Sequence, residues 1–147
     1  MAKIDEHKMK QPYLVDRDET QAIGFYLPFN LDNGPDSMTK QTLDAVRVNL
    51  KSLILTEMGE RVMQPNLGIK LRKFLFEPFT EDVVIEIKAS VHETIGYWLP
   101  FVQVKNIQVK MSDNQEGDFK NLLQVSLEFS LKKDPSTTDS VQITIGE

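Results

Sequence analysis

The chain has 147 residues, 40% of them hydrophobic and 27% charged, with a formal charge of −5 and no cysteine. That length suits one domain able to bury a real core. The acidic balance argues against nucleic acid as a partner, because phosphate binding needs clustered Lys and Arg. Without cysteine there is no disulfide, no thiolate metal site and no Cys nucleophile. No apolar run approaches the roughly 20 residues that a membrane-spanning helix needs, so no membrane partner is expected.

Residues 1–20 are polar, without the apolar segment of a secretory signal, and read as a flexible or partner-ordered arm ahead of a single domain over 21–147. Ile23, Phe25, Leu27, Phe29 and Leu31 then alternate at period two and predict a strand. Gly24 and Pro28 weaken it, since Pro cannot donate to a ladder. Residues 32–37 are a turn by composition. Thr39 is the predicted N-cap of a helix reaching Leu55. On that helix Leu43, Val46, Leu50, Leu53 and Ile54 fall within about 100° of arc, while Val48 and Leu55 lie on another side. A second apolar side implies either a sandwiched helix or a partner.

Gly59 ends the first helix, and a short helical turn over 69–76 is expected with Leu71, Phe74 and Leu75 inward. Pro78 stops it. A second long helix starts after Thr80, with Glu81 and Asp82 suited to its positive N-terminal dipole. Its stripe of Val84, Ile87, Val91, Ile95 and Trp98 is spaced 3, 4, 4 and 3, a clear core face. Strands follow. Val102 and Val104 alternate, and Ile107, Val109 and Met111 alternate in the opposite phase, which places a bulge at Lys105-Asn106. Residues 113–118 form a hairpin loop and 123–131 the partner strand. Asp134-Pro135-Ser136-Thr137 reads as a turn before a short last strand carrying Val141, Ile143 and Ile145. The order predicts an α+β fold, two main helices packed on a three- or four-stranded, largely antiparallel sheet.

Between the helices the chain reads Leu55-Thr56-Glu57-Met58-Gly59-Glu60-Arg61, then Pro65 and Gly68, then Leu75-Phe76-Glu77-Pro78. This order of turn residues, charges and apolar side chains resembles the contractile-tail baseplate wedge family, historically labelled gene 25-like lysozyme, over roughly residues 23–132. The resemblance implies a structural subunit of a phage tail baseplate, present in six copies and assembled in the host cytoplasm. Its implied partners are other wedge proteins, the tail sheath subunit and hub or tube proteins, with an added strand templating the sheath. Gly59, Glu60, Arg61, Pro65, Gly68, Glu77 and Pro78 carry over as loop architecture with an interface role. Arg72 and Phe76 join them because Arg and aromatic side chains are typical interface anchors. The equivalent subunit of a type VI secretion or extracellular injection system fits the same pattern.

The label makes a peptidoglycan hydrolase the alternative to test. Such an enzyme needs two carboxylates across a cleft, one with a raised pKa. Asp82, Glu86 and Glu93 project about 160–200° from Val84, opposite the core stripe, and read as a solvated face. Glu60 and Glu77 lie near Arg61, Arg72 and Lys73 in sequence, which suggests ion pairs that would lower a carboxyl pKa. No catalytic residue is assigned. His7 and His92 stand alone, so no metal site is expected, and no cofactor motif is present. Lys70, Arg72 and Lys73 form a short basic cluster in an acidic chain, read as a solvated face or a protein contact.

Overall fold

A computed structural model describes residues 20–26, 38–112 and 122–146. Among these residues the architecture is α+β, with two principal helices and two antiparallel sheets, of two and three strands. The chain separates into two compact units, residues 1–49 and 50–147.

In the first unit β1 (Gly24–Phe25) pairs with β2 (Met38–Thr39), Gly24 opposite Thr39 and Phe25 opposite Met38. Thr39, expected to cap a helix, is a strand residue instead. Its hydroxyl is fully buried with no hydrogen-bond partner among the described residues. A Cβ at Gly24 would stand 2.9 Å from that hydroxyl, so glycine here permits the close pairing. The helix α1 (Thr42–Leu55) starts two residues later than a Thr39 cap implies and ends where expected. Tyr26 donates to the Asp44 carboxylate at 3.2 Å, and Asp44 pairs with Arg47 at 3.3 Å. Most of the strand expected over 23–31, the turn over 32–37 and all but the last residue of the expected arm lie outside the described residues.

The second unit begins within α1, where Leu50, Leu53 and Ile54 are buried and Leu55 is exposed. After the inter-helix segment, a short 3-10 helix (Arg72–Phe76) buries Phe74 and Leu75. The helix α2 (Glu81–Trp98) follows, its Thr80 hydroxyl accepting from the Val83 N–H at 3.4 Å as an N-cap. Ile87, Val91 and Ile95 are fully buried, with Val84 and Trp98 half-buried at the ends of the predicted stripe. This face packs α2 against β3.

The three-stranded sheet has the order β3 (Val102–Ser112), β4 (Leu122–Leu131), β5 (Asp134–Gly146). Register places Met111, Leu123 and Ile145 in one row, Val109, Val125 and Ile143 in the next, and Ile107, Leu127 and Val141 in a third. One sheet face is thus apolar, while Gln103, Gln108, Lys110, Gln142 and Thr144 are exposed. The expected bulge occurs between Val104 and Asn106.

The end of the sheet differs from the sequence reading. The β4–β5 turn is Lys132-Lys133, and β5 is a long strand of 13 residues. The register slips between Ser130, opposite Thr138, and Leu131, opposite Asp134. The turn-like composition of 134–137 therefore marks a bulge. Ser136 and Thr137 hydroxyls both donate to the Asp134 carboxylate, and these bonds hold its pKa below the usual carboxylate range. The hairpin loop expected over 113–118 lies outside the described residues.

Candidate functional site

The segment between α1 and the 3-10 helix has little regular structure, yet its backbone is tightly fastened. The α1 C-terminus closes with the Thr56 N–H and hydroxyl both donating to the Ser52 carbonyl, at 3.0 and 2.7 Å. Ile69 N–H then donates to the Thr56 carbonyl at 2.9 Å, which brings the far end of the segment back to the helix end. Gly68 makes that approach possible. Its φ is +108°, and a Cβ there would meet the Thr56 oxygen at 2.1 Å. Gly59, at φ +97°, turns the chain at the other end with nothing within 4 Å of a would-be Cβ.

Outside that closure the Gly59 N–H donates to the Pro65 carbonyl at 2.8 Å, and Gln64 N–H to the Arg61 carbonyl at 3.2 Å. Two carboxylates complete the fastening. Glu60 accepts from the Glu57 N–H at 3.1 Å, and Glu57 accepts from the Arg72 N–H at 3.0 Å. Glu57 is the residue the sequence reading missed. A carboxylate receiving a backbone N–H 15 residues away leaves no periodic signal, although its place beside a turn glycine is a weak one. Among the described residues, no ion pair joins Glu60 or Glu77 to Arg61, Arg72 or Lys73. Lys73 instead pairs with Glu86 on α2 at 2.7 Å and lies 4.3 Å from the Phe74 ring centroid.

The structure therefore gathers Gly59, Glu60, Arg61, Pro65, Gly68 and Arg72 into one fastened loop. Phe76, Glu77 and Pro78 form its exit toward α2. Phe74, Phe76 and Phe79, close together in sequence, divide: Phe74 is in the core, while Phe76 is 70% exposed and Phe79 nearly half exposed. Val62 and Met63, at the loop tip, are almost wholly exposed. A groove of about 340 Å³ runs between this loop and the C-terminal half of α2, lined by Met58, Ile69, Lys70, Glu93, Tyr97 and Trp98 among others. Tyr97 is 75% exposed and meets Trp98 edge-to-face at 5.1 Å.

The carboxylates considered for hydrolysis, Glu60, Glu77, Asp82, Glu86 and Glu93, are all exposed. Glu93 is the one that lines the groove. His92 is exposed, and the described residues contain no group of three metal-ligating side chains. No described helix is long and apolar enough to cross a membrane.

Fold and site together define an α+β domain whose conspicuous surface is a hydrogen-bonded, apolar-tipped loop beside an aromatic groove. Residues 40–136 match the family described as baseplate wedge protein gp25, and the chain belongs to that family. Its role is structural, in the baseplate of a contractile tail or tail-like assembly. Several solved structures share the fold, three of them as follows. A candidate tail lysozyme from Geobacter sulfurreducens is 19% identical, with TM-score 0.58 over 69% of this chain and 86% of its own. A chain of the anti-feeding prophage baseplate, solved with six-fold symmetry, is 22% identical, with TM-score 0.54 over 84% and 83%. A chain of the type VI secretion system baseplate complex is 13% identical, with TM-score 0.51 over 69% and 89%. No curated protein matches the chain.

Proposed function

We propose that this protein is a wedge subunit, present in six copies, that joins neighbouring wedge proteins around the hub and tube and templates the tail sheath by strand addition. The observation that carries the second role is the free edge of β5, which pairs only with β4 among the described residues. Its stretch from Ser140 to Gly146 contains no charge and no proline. Natural edge strands are usually blunted by Lys, Pro or a bulge, and this stretch has none of these. The β5 bulge sits at the other end, beside Asp134. An extended segment of a sheath subunit would pair with this edge through main-chain hydrogen bonds. The inter-helix loop, with Gly59, Glu60, Arg61, Pro65, Gly68, Arg72, Phe76, Glu77 and Pro78, faces the wedge partners. The protein performs no hydrolysis: Glu60, Glu77, Asp82 and Glu86 are exposed outside the groove, and Glu93 lines it with no second carboxylate across from it among the described residues. Assembly takes place in the host cytoplasm.

The natural absence of cysteine provides the test, since any introduced cysteine is unique. Cysteines placed singly at Ser140, Gln142 and Thr144 should form disulfides with a cysteine-scanned sheath arm in consecutive register. Cysteines at Gln108 and Lys110, on the β3 side, should not. Absence of β5 cross-links in particles that still carry a sheath would remove strand addition at this edge.

A further inference from the structure

Val62 and Met63 are 94% and 92% exposed, more than any other large apolar side chain among the described residues. They occupy the two central positions of the turn 61–64, closed by Gln64 N–H donating to the Arg61 carbonyl. Turn centres ordinarily carry Gly, Pro, Asn, Asp or Ser, each for a conformational reason. An apolar pair there breaks the local rule, and such breaks are expected where function outweighs solubility.

The turn is held in place. Its neck is fastened by the Gly59-to-Pro65 bond at 2.8 Å, and its base by the Glu60 and Glu57 carboxylates. Little conformational freedom is left to lose on binding, which is how a preorganised loop gains affinity. Arg61, exposed beside the pair, has no ion-pair partner among the described residues, while the neighbouring Glu60 is engaged by backbone.

We propose that Val62 and Met63 are a preorganised apolar anchor that enters a pocket on another baseplate protein, apolar at its floor and bearing carboxylate or carbonyl oxygens at its rim for Arg61. The proposal rests on the structural reading above and assigns the binding to Val62 and Met63 with Arg61 at the rim, while Glu60 positions them. Methionine suits such a role, since its unbranched thioether adapts to the shape of a pocket. The net negative charge of the chain favours a protein pocket over an anionic membrane surface.

The test compares three full-length chains: wild type, V62S/M63Q and V62I/M63L. All three should melt within a few degrees of one another, because exposed positions contribute little to stability. Affinity of V62S/M63Q for the co-produced wedge proteins of the same particle should fall roughly 30-fold or more, as for a hot spot, while V62I/M63L stays near wild type. Hydrogen peroxide should convert Met63 to its sulfoxide in the free protein and spare it in assembled particles, read by mass spectrometry. Undiminished association of V62S/M63Q, or equal oxidation in both states, would overturn the anchor. Binding to phosphatidylcholine–phosphatidylglycerol vesicles that V62S/M63Q abolishes would overturn it too, in favour of a lipid contact. Gene deletion separates this proposal from its premise. Sheathed particles formed without the protein sink the structural role, whereas a deletion defect fully rescued by V62S/M63Q sinks the anchor alone.

Discussion

A methyl group at Gly68 would lie 2.1 Å from the Thr56 carbonyl oxygen, while at Gly59 it would touch nothing. Both residues have positive φ, so alanine at either position incurs the roughly 1–2 kcal/mol of left-handed strain. Gly59→Ala should lose about that much in urea denaturation, and Gly59→Asn less. Gly68→Ala must in addition push the α1 terminus away, and should lose substantially more. Equal losses would mean that the two glycines serve only turn geometry. The same scale separates core from surface on α2. Ile87→Ala and Val91→Ala should each cost about 1–4 kcal/mol, as truncations of fully buried side chains. Glu86→Ala should cost under about 1 kcal/mol, because its bond to Lys73 is exposed to solvent and salt.

At the level of elements, legibility followed periodicity. The α2 stripe and the β4 alternation each repeat one burial requirement many times, so spacing alone located them, and the bulge appeared as a single phase slip. β2 has two residues, too few for any period, and its Thr39 carries the same residue type that caps helices. The misread turn at 134–137 has a related cause: Asp, Pro, Ser and Thr mark local backbone bonding, which a bulge uses as readily as a reversal. The inter-helix loop was visible through its glycines and prolines. Its fastening through Glu57 was not, because that bond depends on where the fold returns the chain. A pH prediction belongs here. The Asp134 carboxyl is held below its ordinary value, chiefly by the Ser136 and Thr137 hydroxyls. Its contribution to folding is therefore complete above the unfolded pKa near 4 and is lost as pH falls through the depressed folded value. Protection factors of the amides across 136–138, corrected for the intrinsic pH dependence of exchange, should fall on acidification in that window, and Asp134→Ala should lower them already at neutral pH.

For the whole molecule, the structural role predicts that purified protein leaves bacterial cell walls intact from acid to neutral pH. Turbidity loss that Glu77→Gln abolishes in a folded protein would restore the enzymatic alternative. Assembly should be sensitive to the loop charges. Arg61→Ala and Glu77→Ala should lower the yield of sheathed particles while leaving the melting temperature nearly unchanged. Glu60→Ala should lower both, since its carboxylate accepts the Glu57 N–H. Electron microscopy of complemented deletions, beside melting curves, distinguishes these outcomes.

The sheet order β3-β4-β5 follows the chain, so each strand pairs with its sequence neighbour. Local pairing of this kind keeps contact order low and folding fast. Subunit assembly is slower and depends on concentration. The subunit therefore waits, already folded, with the uncharged end of β5 unpaired by any other described strand. How long it waits depends on the supply of partners, which makes subunit stoichiometry a determinant of solubility. Produced in excess over its partners, the protein should associate edge to edge, and co-production of the sheath subunit should keep it dispersed.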